Sequence, residues 1–350
     1  MRGVVARRHH LLVEEFPEPT PAPGEALVAL RACGICGSDL HTLAHPEMLP
    51  EVAAASGLEG RFDPDGDFYL GHEWVGEVLD FGAGTSDPPV QRGDLVVSMP
   101  YLVRPPELVA LGFSNDHYAG YCERFLLTAD LCHRVPRGLD VRLAALTEPM
   151  AVGLHAVNKA RLAAGDTALV VGCGPIGLAL IAWLRARGVE PIVACDYSAQ
   201  RRGLAERLGA HVVVDPRDEP GIDAWQTIAA GRPVVIFEAV GVPGMLDEVI
   251  VAAPAQARVV VAGVCMQPDR IRPLFAIIKE LNVQFVYAYD DDEFTATLHA
   301  LDDGSLDVAP MVTGRVGFEG VAAAFELLGA AEHHVKVLVE PDGPAQVATL

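Results

Sequence analysis

The sequence predicts an α/β protein with two domains, one rich in β-strands and one containing a doubly wound parallel sheet of six strands. Its 350 residues fit two domains of roughly 100–200 residues each. Over residues 1–150, Pro and Gly separate short runs in which apolar residues alternate, a texture typical of short twisted strands. Over residues 151–290, apolar segments alternate six times with Ala- and Arg-rich segments, which indicates a parallel sheet covered by helices.

The individual elements follow from these patterns. In the first region, the clearest strand candidates are Ala26–Leu30 and Trp74–Val78. The strands predicted in the second region are Ala168–Val171, Ile192–Cys195, Val212–Val214, Val234–Phe237, Arg258–Ala262 and Val283–Ala288. The helices predicted between and after them are Ile176–Arg187, Ala199–Leu208, Phe294–Leu301 and Val321–Leu328, and a terminal strand is predicted at Val335–Val339.

Composition narrows the possible functions. Lys and Arg total 26 against 47 Asp and Glu, which gives a formal net charge of −21. Such a chain has no surplus of cations to neutralise phosphates, so we expect it to bind neither nucleic acid nor an anionic membrane. No apolar run follows the N-terminal Arg residues, and seven Cys are far too few for a disulfide scaffold, so a cytoplasmic protein without a signal peptide is expected.

A glycine-rich turn predicts a dinucleotide site. Gly172-Cys173-Gly174-Pro175-Ile176-Gly177 follows one predicted strand and opens a predicted helix. In this context, Gly172 permits the tight turn, Gly174 lets the backbone approach a pyrophosphate, and Gly177 lets helix and strand pack closely. The N-terminus of the helix that follows offers free N–H groups, which favour phosphate. The pattern predicts a Rossmann domain.

Asp196 closes the second predicted strand, 19 residues after Gly177. A carboxylate at this position accepts hydrogen bonds from the hydroxyls of the adenosine ribose and repels a 2′-phosphate, which favours NAD over NADP. Arg201 and Arg202 are close in sequence and support the rival interpretation, a site for the 2′-phosphate of NADP.

Two separated motifs predict a metal site. Cys33-Gly34-Ile35-Cys36-Gly37-Ser38-Asp39-Leu40-His41 holds two thiols, a carboxylate and an imidazole, and Gly71-His72-Glu73 adds another imidazole and carboxylate. Thiolate, imidazole and carboxylate together suit Zn²⁺. Taken singly, Cys36 is more often interpreted as a buried free thiol, and His72 as a strand histidine with satisfied hydrogen bonds.

In combination with these motifs, further short motifs resemble the zinc-dependent medium-chain dehydrogenases. They are Gly93-Asp94-Leu95-Val96, Glu148-Pro149-Met150-Ala151-Val152, Phe237-Glu238-Ala239-Val240-Gly241 and His334-Val335-Lys336-Val337-Leu338. The resemblance implies a GroES-like catalytic domain over residues 1–150, completed by residues 291–350, and a Rossmann NAD-binding domain over residues 151–290. It also implies a small alcohol or carbonyl substrate.

The resemblance assigns roles to individual residues. Cys36 and His72 are implied zinc ligands, either or both of Glu73 and Glu148 complete the ligand set, and Asp39 orients His72. The implied catalytic residues are Ser38 and His41, which pass the proton of the substrate hydroxyl outward, together with Glu73. The cofactor-binding residues implied outside the three glycines are Pro175, Ile176 at the nicotinamide ring, Asp196, Arg201 near the adenosine ribose, and Val240.

Two segments depart from the family pattern. Many relatives carry a structural zinc on four Cys in a lobe after the Gly-Asp-x-Val motif, but residues Val97–Tyr121 contain no Cys. We therefore expect one catalytic zinc per chain and a lobe held by packing, with Tyr101, Phe113, Tyr118 and Tyr121 as anchors. The long segment Ala44–Tyr69 is either a lid over the cleft or a solvated surface insertion.

The expected function is that of an NAD-dependent, zinc-containing alcohol, polyol or sugar dehydrogenase. The alternatives are a dehydrogenase for threonine or a hydrophobic secondary alcohol, and a zinc- and NAD-binding protein without catalysis. By analogy with the family we expect a homodimer or homotetramer, with the alternating run Val283, Phe285 and Tyr287 as an edge strand that pairs across a two-fold axis.

Overall fold

A computed structural model describes residues 1–56, 62–229, 231–330 and 333–350. The chain forms two compact units, Met1–Glu148 with Val312–Leu350, and Pro149–Met311. From the sequence we expect the first domain to resume at residue 291, but in the structure it resumes at Val312. The reason is that Glu293 accepts hydrogen bonds from His155 and Asn158, at 2.7 Å each, which fixes residues after 290 to the second unit.

Strands and helices occur in both units. The strands are β1 (Arg2–Arg7), β2 (His10–Glu15), β3 (Glu25–Gly34), β4 (Glu73–Phe81), β5 (Leu95–Ser98), β6 (Tyr101–Arg104), β7 (Glu107–Ala110), β8 (Arg124–Thr128), β9 (Cys132–Arg134), β10 (Thr167–Val171), β11 (Ile192–Cys195), β12 (Val212–Val214), β13 (Val234–Glu238), β14 (Arg258–Val261), β15 (Asn282–Phe285), β16 (Val312–Val316), β17 (Lys336–Val339) and β18 (Ala348–Thr349). The helices are α1 (Gly37–Ala44), α2 (Leu49–Ser56), α3 (Val141–Ala144), α4 (Thr147–Lys159), α5 (Pro175–Ala186), α6 (Ala199–Leu208), α7 (Gly221–Ala229), α8 (Met245–Ala252), α9 (Pro273–Ile278), α10 (Asp291–Asp302) and α11 (Val321–Ala330).

The first unit is organised around a sheet that joins both ends of the chain. Its strand order is β18-β16-β17-β3-β4-β5-β9, and β8 also pairs with β3. In β17, the strand predicted at Val335–Val339, Leu338 pairs with Gly34 and Val339 with Cys33 of β3 in antiparallel fashion. This pairing brings β17 beside the segment that leads to Cys36. The predicted return of the terminal strand to the first domain is therefore observed.

The second unit contains a parallel sheet in the order β12-β11-β10-β13-β14-β15, the doubly wound arrangement that the sequence predicts. Its central strands are buried on both faces, which explains their continuous apolar runs. The last strand is shorter than predicted, because it ends at Phe285 and Ala288 lies in the left-handed region at φ 54°.

The uncharged run from Thr167 to Leu184 is divided between β10 and α5. Within the described ranges, no helix combines the length and apolarity needed to cross a membrane.

The lobe over residues 97–121 is held by packing and by one buried carboxylate. Strands β6 and β7 form a hairpin, and Arg104 on β6 contacts Glu25, whose side chain is almost completely buried, at 2.5 Å. Tyr118 packs edge-on against Tyr69 with ring centroids 4.9 Å apart, and Tyr121 is fully buried. Of the anchors predicted from the sequence, these two have the clearest packing role.

The segment Ala44–Tyr69 contains α2 and ends in a stretch that packs on the first unit. Residues 57–61, which include Glu59, lie outside the described residues, so the lid and the insertion remain alternative predictions. Further along, Asp67 contacts Arg7 at 2.5 Å and Phe68 is buried.

Candidate active site

Cys36 lies between the end of β3 and the first residue of α1. Its backbone N–H donates to Oδ2 of Asp39 at 3.0 Å, so the carboxylate that begins the helix also fixes the turn that carries the thiol. The Cys36 side chain is partly exposed, in contrast to the fully buried Cys33 three residues earlier.

His72 and Glu73 stand where β4 begins, and the pairing of β3 with β4 brings them to the Cys36 turn. Glu73 lies opposite Gly34 in this register. The Sγ atom of Cys36 and ligand atoms of His72 and Glu73 all lie within 4.8 Å of one another. Two motifs that are 36 residues apart in sequence thus converge on one point, as a zinc site requires.

The Asp39 carboxylate is fully buried and contacts both ligand-bearing segments. Its Oδ2 atom accepts hydrogen bonds from the Cys36 N–H and, at 2.7 Å, from the hydroxyl of Tyr121. Its Oδ1 atom accepts one from the Gly71 N–H at 3.2 Å and lies 3.4 Å from Nδ1 of His72. That Nδ1 atom is buried and makes no conventional hydrogen bond, so the 3.4 Å approach to Asp39 is its principal polar contact.

The charges around His72 and Asp39 shift the pKa values of both side chains. Burial alone would lower the pKa of His72, but the negative charges of Asp39 and Cys36 outweigh burial and raise that pKa well above its usual value. Burial would likewise raise the pKa of Asp39, yet His72, Tyr121 and the Cys36 N–H lower it. His72 and Asp39 thus each stabilise the charged form of the other.

Glu73 is paired with a residue that sequence reasoning did not assign to the site. Nζ of Lys336 lies 2.6 Å from each carboxylate oxygen of Glu73 and donates to the carbonyl of Ile35 at 3.1 Å. Both side chains are fully buried. A Cβ atom at Gly34 would lie 1.9 Å from Oε2 of Glu73, so only glycine leaves room for the carboxylate.

Glu148 is in the first turn of α4 and is not in the group of ligand atoms within 4.8 Å of one another. It is close enough for its charge to act on Lys336. Burial opposes the charge of Lys336, but Glu73, Cys36 and Glu148 together raise its pKa.

Ser38 and His41 lie three residues apart on α1, a spacing that places them on one helical face. The hydroxyl of Ser38 is 3.3 Å from Nε2 of His72, so it stands beside the candidate ligands. His41 is half-buried, and burial, assisted by the charge of His45, lowers its pKa.

The glycine-rich turn of the second unit has the geometry expected of a dinucleotide site. Gly172 has φ 92°, and a Cβ atom there would lie 2.6 Å from Cγ2 of Val240. A Cβ atom at Gly177 would lie 1.9 Å from the carbonyl oxygen of Gly172, which explains the close approach of helix and strand. At Gly174, the residue before α5, a Cβ atom would meet only an Arg201 nitrogen at 3.9 Å. The turn therefore leaves space of the kind that a pyrophosphate requires.

Asp196 fixes the end of β11 beside this turn. Its Oδ2 atom accepts a hydrogen bond from the Cys173 N–H and its Oδ1 atom one from the Ser198 N–H, each at 2.8 Å. The neighbouring arginines differ. Arg202 donates to Asp215 at 2.9 Å and to two backbone carbonyls, whereas the buried Nε of Arg201 has no hydrogen-bond partner among the described residues. Arg201 is thus the arginine that is left to meet a ligand at the turn.

Two family models of known proteins match regions in both units. Residues 22–137 match the alcohol dehydrogenase GroES-like domain, and residues 175–303 match the zinc-binding dehydrogenase domain. These domains define a zinc-dependent oxidoreductase of alcohols or polyols, whose substrates are small molecules. The chain belongs to the zinc-dependent medium-chain dehydrogenase family.

Relatives with assigned activities resemble the chain over nearly its full length. (R,R)-butanediol dehydrogenases from Neisseria gonorrhoeae and Bacillus subtilis are 31% and 33% identical to it; the matches cover 94% and 96% of this chain and 96% and 99% of the relatives. The solved structure of the 2R,3R-butanediol dehydrogenase from Bacillus subtilis has a TM-score of 0.83 at 29% identity, covering 97% of this chain and 99% of that chain.

Proposed function

We propose that this protein oxidises a vicinal diol or polyol with NAD, using one zinc ion held in the first unit. The observation that carries the proposal is the convergence of Cys36 and His72, with the Glu73 carboxylate beside them, within 4.8 Å. The donor set fits zinc, because a thiol, an imidazole and a carboxylate converge at one point. The butanediol and sorbitol dehydrogenases among the relatives support a diol or polyol substrate.

The third protein ligand is proposed to be Glu148 rather than Glu73. Both oxygens of Glu73 already contact the ammonium of Lys336, which neutralises the charge that zinc would attract. Glu148 is close enough to act on Lys336 electrostatically. Glu73 is then proposed to lie beside the metal as an alternate ligand. One zinc per chain is proposed because the lobe over residues 97–121 has no Cys and is held by side-chain packing.

A bound zinc ion would act as a Lewis acid on the substrate oxygen, and NAD would accept the hydride. Ser38 and His41 are proposed to carry away the proton of the substrate hydroxyl. Ser38 stands beside His72, and its hydroxyl is placed to accept the proton of the substrate and pass one on toward His41. His41 is suited to receive it, because burial favours its neutral form.

NAD is proposed to bind at the Gly172–Gly177 turn of the second unit, with the ribose of adenosine on Asp196 and Arg201. The carboxylate is fixed by two backbone N–H groups, which supports its role as an acceptor for ribose hydroxyls. Ile176 and Val240 are proposed to contact the cofactor. NADP is the alternative, and it is favoured by the free Nε of Arg201 and by a solved relative from Sinorhizobium meliloti that is bound to NADP.

A homodimer is proposed to form through the edge of the six-stranded sheet. Strand β15 is at that edge, and Phe285 and Tyr287 are 63% and 74% exposed. Leu274, Ile277 and Ile278 on α9 are similarly exposed, which adds apolar surface in the same unit. Light scattering would test this: a mass of one chain at micromolar concentration contradicts it, and a mass of four chains favours the tetramer. A cytoplasmic location remains a prediction.

The function is tested by following NADH formation over a panel of 2,3-butanediol stereoisomers, sorbitol, other sugars, threonine and simple primary and secondary alcohols. Each substrate is paired with NAD and with NADP, before and after metal removal by a chelator and again after zinc is restored. We expect turnover of a diol or polyol with NAD that is lost with the metal and recovered with zinc. Turnover that survives metal removal contradicts the zinc role, and preference for threonine or a monoalcohol contradicts the substrate class.

A further inference from the structure

Tyr121 touches both segments that carry the candidate ligands, although it belongs to neither. It lies at the end of the Cys-free lobe and is completely buried. Its hydroxyl donates to Oδ2 of Asp39 at 2.7 Å. Its ring lies against Gly71, where a Cβ atom would come within 2.8 Å of two ring carbons, so the chain passes beneath the ring just before His72.

The hydroxyl completes the set of donors that fixes the Asp39 carboxylate. Oδ1 faces the His72 segment through the Gly71 N–H and Nδ1 of His72. Oδ2 faces the Cys36 turn through one N–H, and the phenol supplies its second donor. Without the phenol, Oδ2 retains one hydrogen bond of 3.0 Å, and rotation of the carboxylate about its last side-chain bond is less restrained. Such rotation would move Oδ1 away from Nδ1 of His72.

The packing of Tyr121 does not depend on its hydroxyl. The Tyr121 ring also packs edge-on against Phe325, with centroids 6.2 Å apart and planes at 79°, and its contact with Gly71 involves ring carbons only. A phenylalanine would preserve both contacts. What it would remove is a hydrogen bond to a buried anion, and such bonds from a neutral donor orient the anion strongly.

We propose that Tyr121 is a positioning residue of the zinc site: its hydroxyl holds Asp39 in the orientation that aligns His72 with the Cys36 turn. The inference rests on the proposed function, since it assumes that Cys36 and His72 bind zinc. Partners of metal ligands beyond direct contact commonly change metal affinity by about 10- to 100-fold. For Tyr121, which acts through Asp39, we expect about a 10-fold loss.

The test compares wild type, Tyr121→Phe, Asp39→Asn and the double variant. Zinc affinity is measured by competition with a chromophoric chelator, and Co²⁺ is substituted for zinc to record the thiolate charge-transfer and d–d absorption bands. We expect Tyr121→Phe to bind zinc about 10-fold more weakly and to change the d–d bands. In the Asp39→Asn background the same substitution should have no further effect, because the hydroxyl acts through the carboxylate. Tyr118→Phe, in the same lobe, is the matched control and should bind zinc as wild type does.

The outcomes separate the inference from the function. If wild type binds Co²⁺ with a Cys36-dependent charge-transfer band but Tyr121→Phe matches it in affinity and spectrum, the inference is wrong and the proposed function stands. If wild type shows no such band and binds no zinc, the proposed function fails and the inference fails with it. If Tyr121→Phe does not fold, Asp39→Asn carries the test alone, and wild-type zinc affinity and d–d bands in that variant would contradict the inference. Where the double variant folds, a further loss of about 10-fold in it would also contradict the inference.

Discussion

The two candidate sites of this protein are assembled in opposite ways. The dinucleotide site comes from one continuous turn, Gly172–Gly177, with Asp196 and Arg201 within 24 residues of it. The candidate metal site combines side chains at residues 36, 72, 73 and 336, which strand pairing brings together in the first unit, and Tyr121 reaches it through Asp39. The dinucleotide site depends on local backbone conformation. The metal site depends on buried charged groups, each of which needs an oppositely charged or hydrogen-bonding partner. Substitutions should therefore have different consequences in the two units.

The largest effect should come from Cys36→Ser, which replaces the only thiol in the candidate ligand group with a poorer donor for zinc. We expect zinc to be lost at purification and alcohol oxidation to fall by at least about a thousandfold, the scale of a lost Lewis acid. NADH binding should be unchanged, because the turn belongs to the other unit. Zinc is measured by elemental analysis, turnover by NADH absorbance and cofactor binding by NADH fluorescence.

Cys265→Ser is the control for this variant, because Cys265 is a partly exposed thiol outside the candidate ligand group. It should retain a full complement of zinc. Normal turnover of metal-free Cys36→Ser protein would show that the thiol is not a ligand. A second zinc per chain in the wild type would contradict the single-site proposal.

The next largest effect should come from Lys336→Met, which leaves the Glu73 carboxylate buried without its cation. Breaking a buried ion pair from one side typically costs about 3–5 kcal/mol, and the metal-free protein should lose stability on that scale. Bound zinc should reduce the loss, because a cation nearby replaces part of the missing charge. Urea unfolding of metal-free and zinc-loaded protein measures both quantities.

Lys336→Met combined with Glu73→Gln is the matched control, since it removes the unpaired charge as well. It should recover most of the stability of the metal-free protein. An equal loss in the single and double variants would mean that the cost comes from packing at Lys336 and not from the ion pair.

The contrast between the two units also determines what the sequence reveals. Strands of the parallel sheet are buried on both faces, so apolar runs predict their bounds to within a few residues. In the turn, Gly172 and Gly177 have local steric reasons to be glycine, and the pattern alone predicts the site. The overlong prediction for β15 reflects an apolar composition that continues beyond Phe285 to the left-handed residue Ala288.

In the first unit, the motifs locate Cys36, His72 and Glu73, but not the residues that neutralise or orient them. Lys336 is one of three lysines in the chain and lies in an otherwise apolar predicted strand, a signal that a buried anion must face it. That signal does not say which of 47 acidic residues is the partner. Tyr121 was expected to act as a packing anchor, and its hydrogen bond to Asp39 depends on a pairing over 82 residues.

A smaller effect is expected from Asp196→Ala in the local site. The loss of an acceptor for the ribose hydroxyls should weaken NADH binding about 10-fold, and removing the negative charge should shift the preference from NAD toward NADP. Zinc content should be unaffected. Asp223→Ala, on the exposed side of α7, is the matched control in the same unit. Unchanged cofactor preference would mean that Asp196 supports only the backbone of the turn.

The smallest effect should come from His41, which is proposed to receive a proton that Ser38 has already accepted. Burial and the charge of His45 lower its pKa below the ordinary value of about 6.5, so the imidazole is neutral and able to accept a proton at pH 7. We expect His41→Asn to reduce kcat for alcohol oxidation about 10-fold, below the usual range for a direct general base.

The pH profile distinguishes a relay from a merely structural role for His41. In the wild type, kcat should fall as the pH drops through the lowered pKa of His41, because protonated imidazole cannot accept the proton. His41→Asn should remove that acidic limb. His45→Asn removes the neighbouring charge that lowers the pKa, so it should move the limb to higher pH while leaving the rate above it intact. An acidic limb that neither substitution moves would assign the titration to another group and leave α1 with Ser38 alone as a proton carrier.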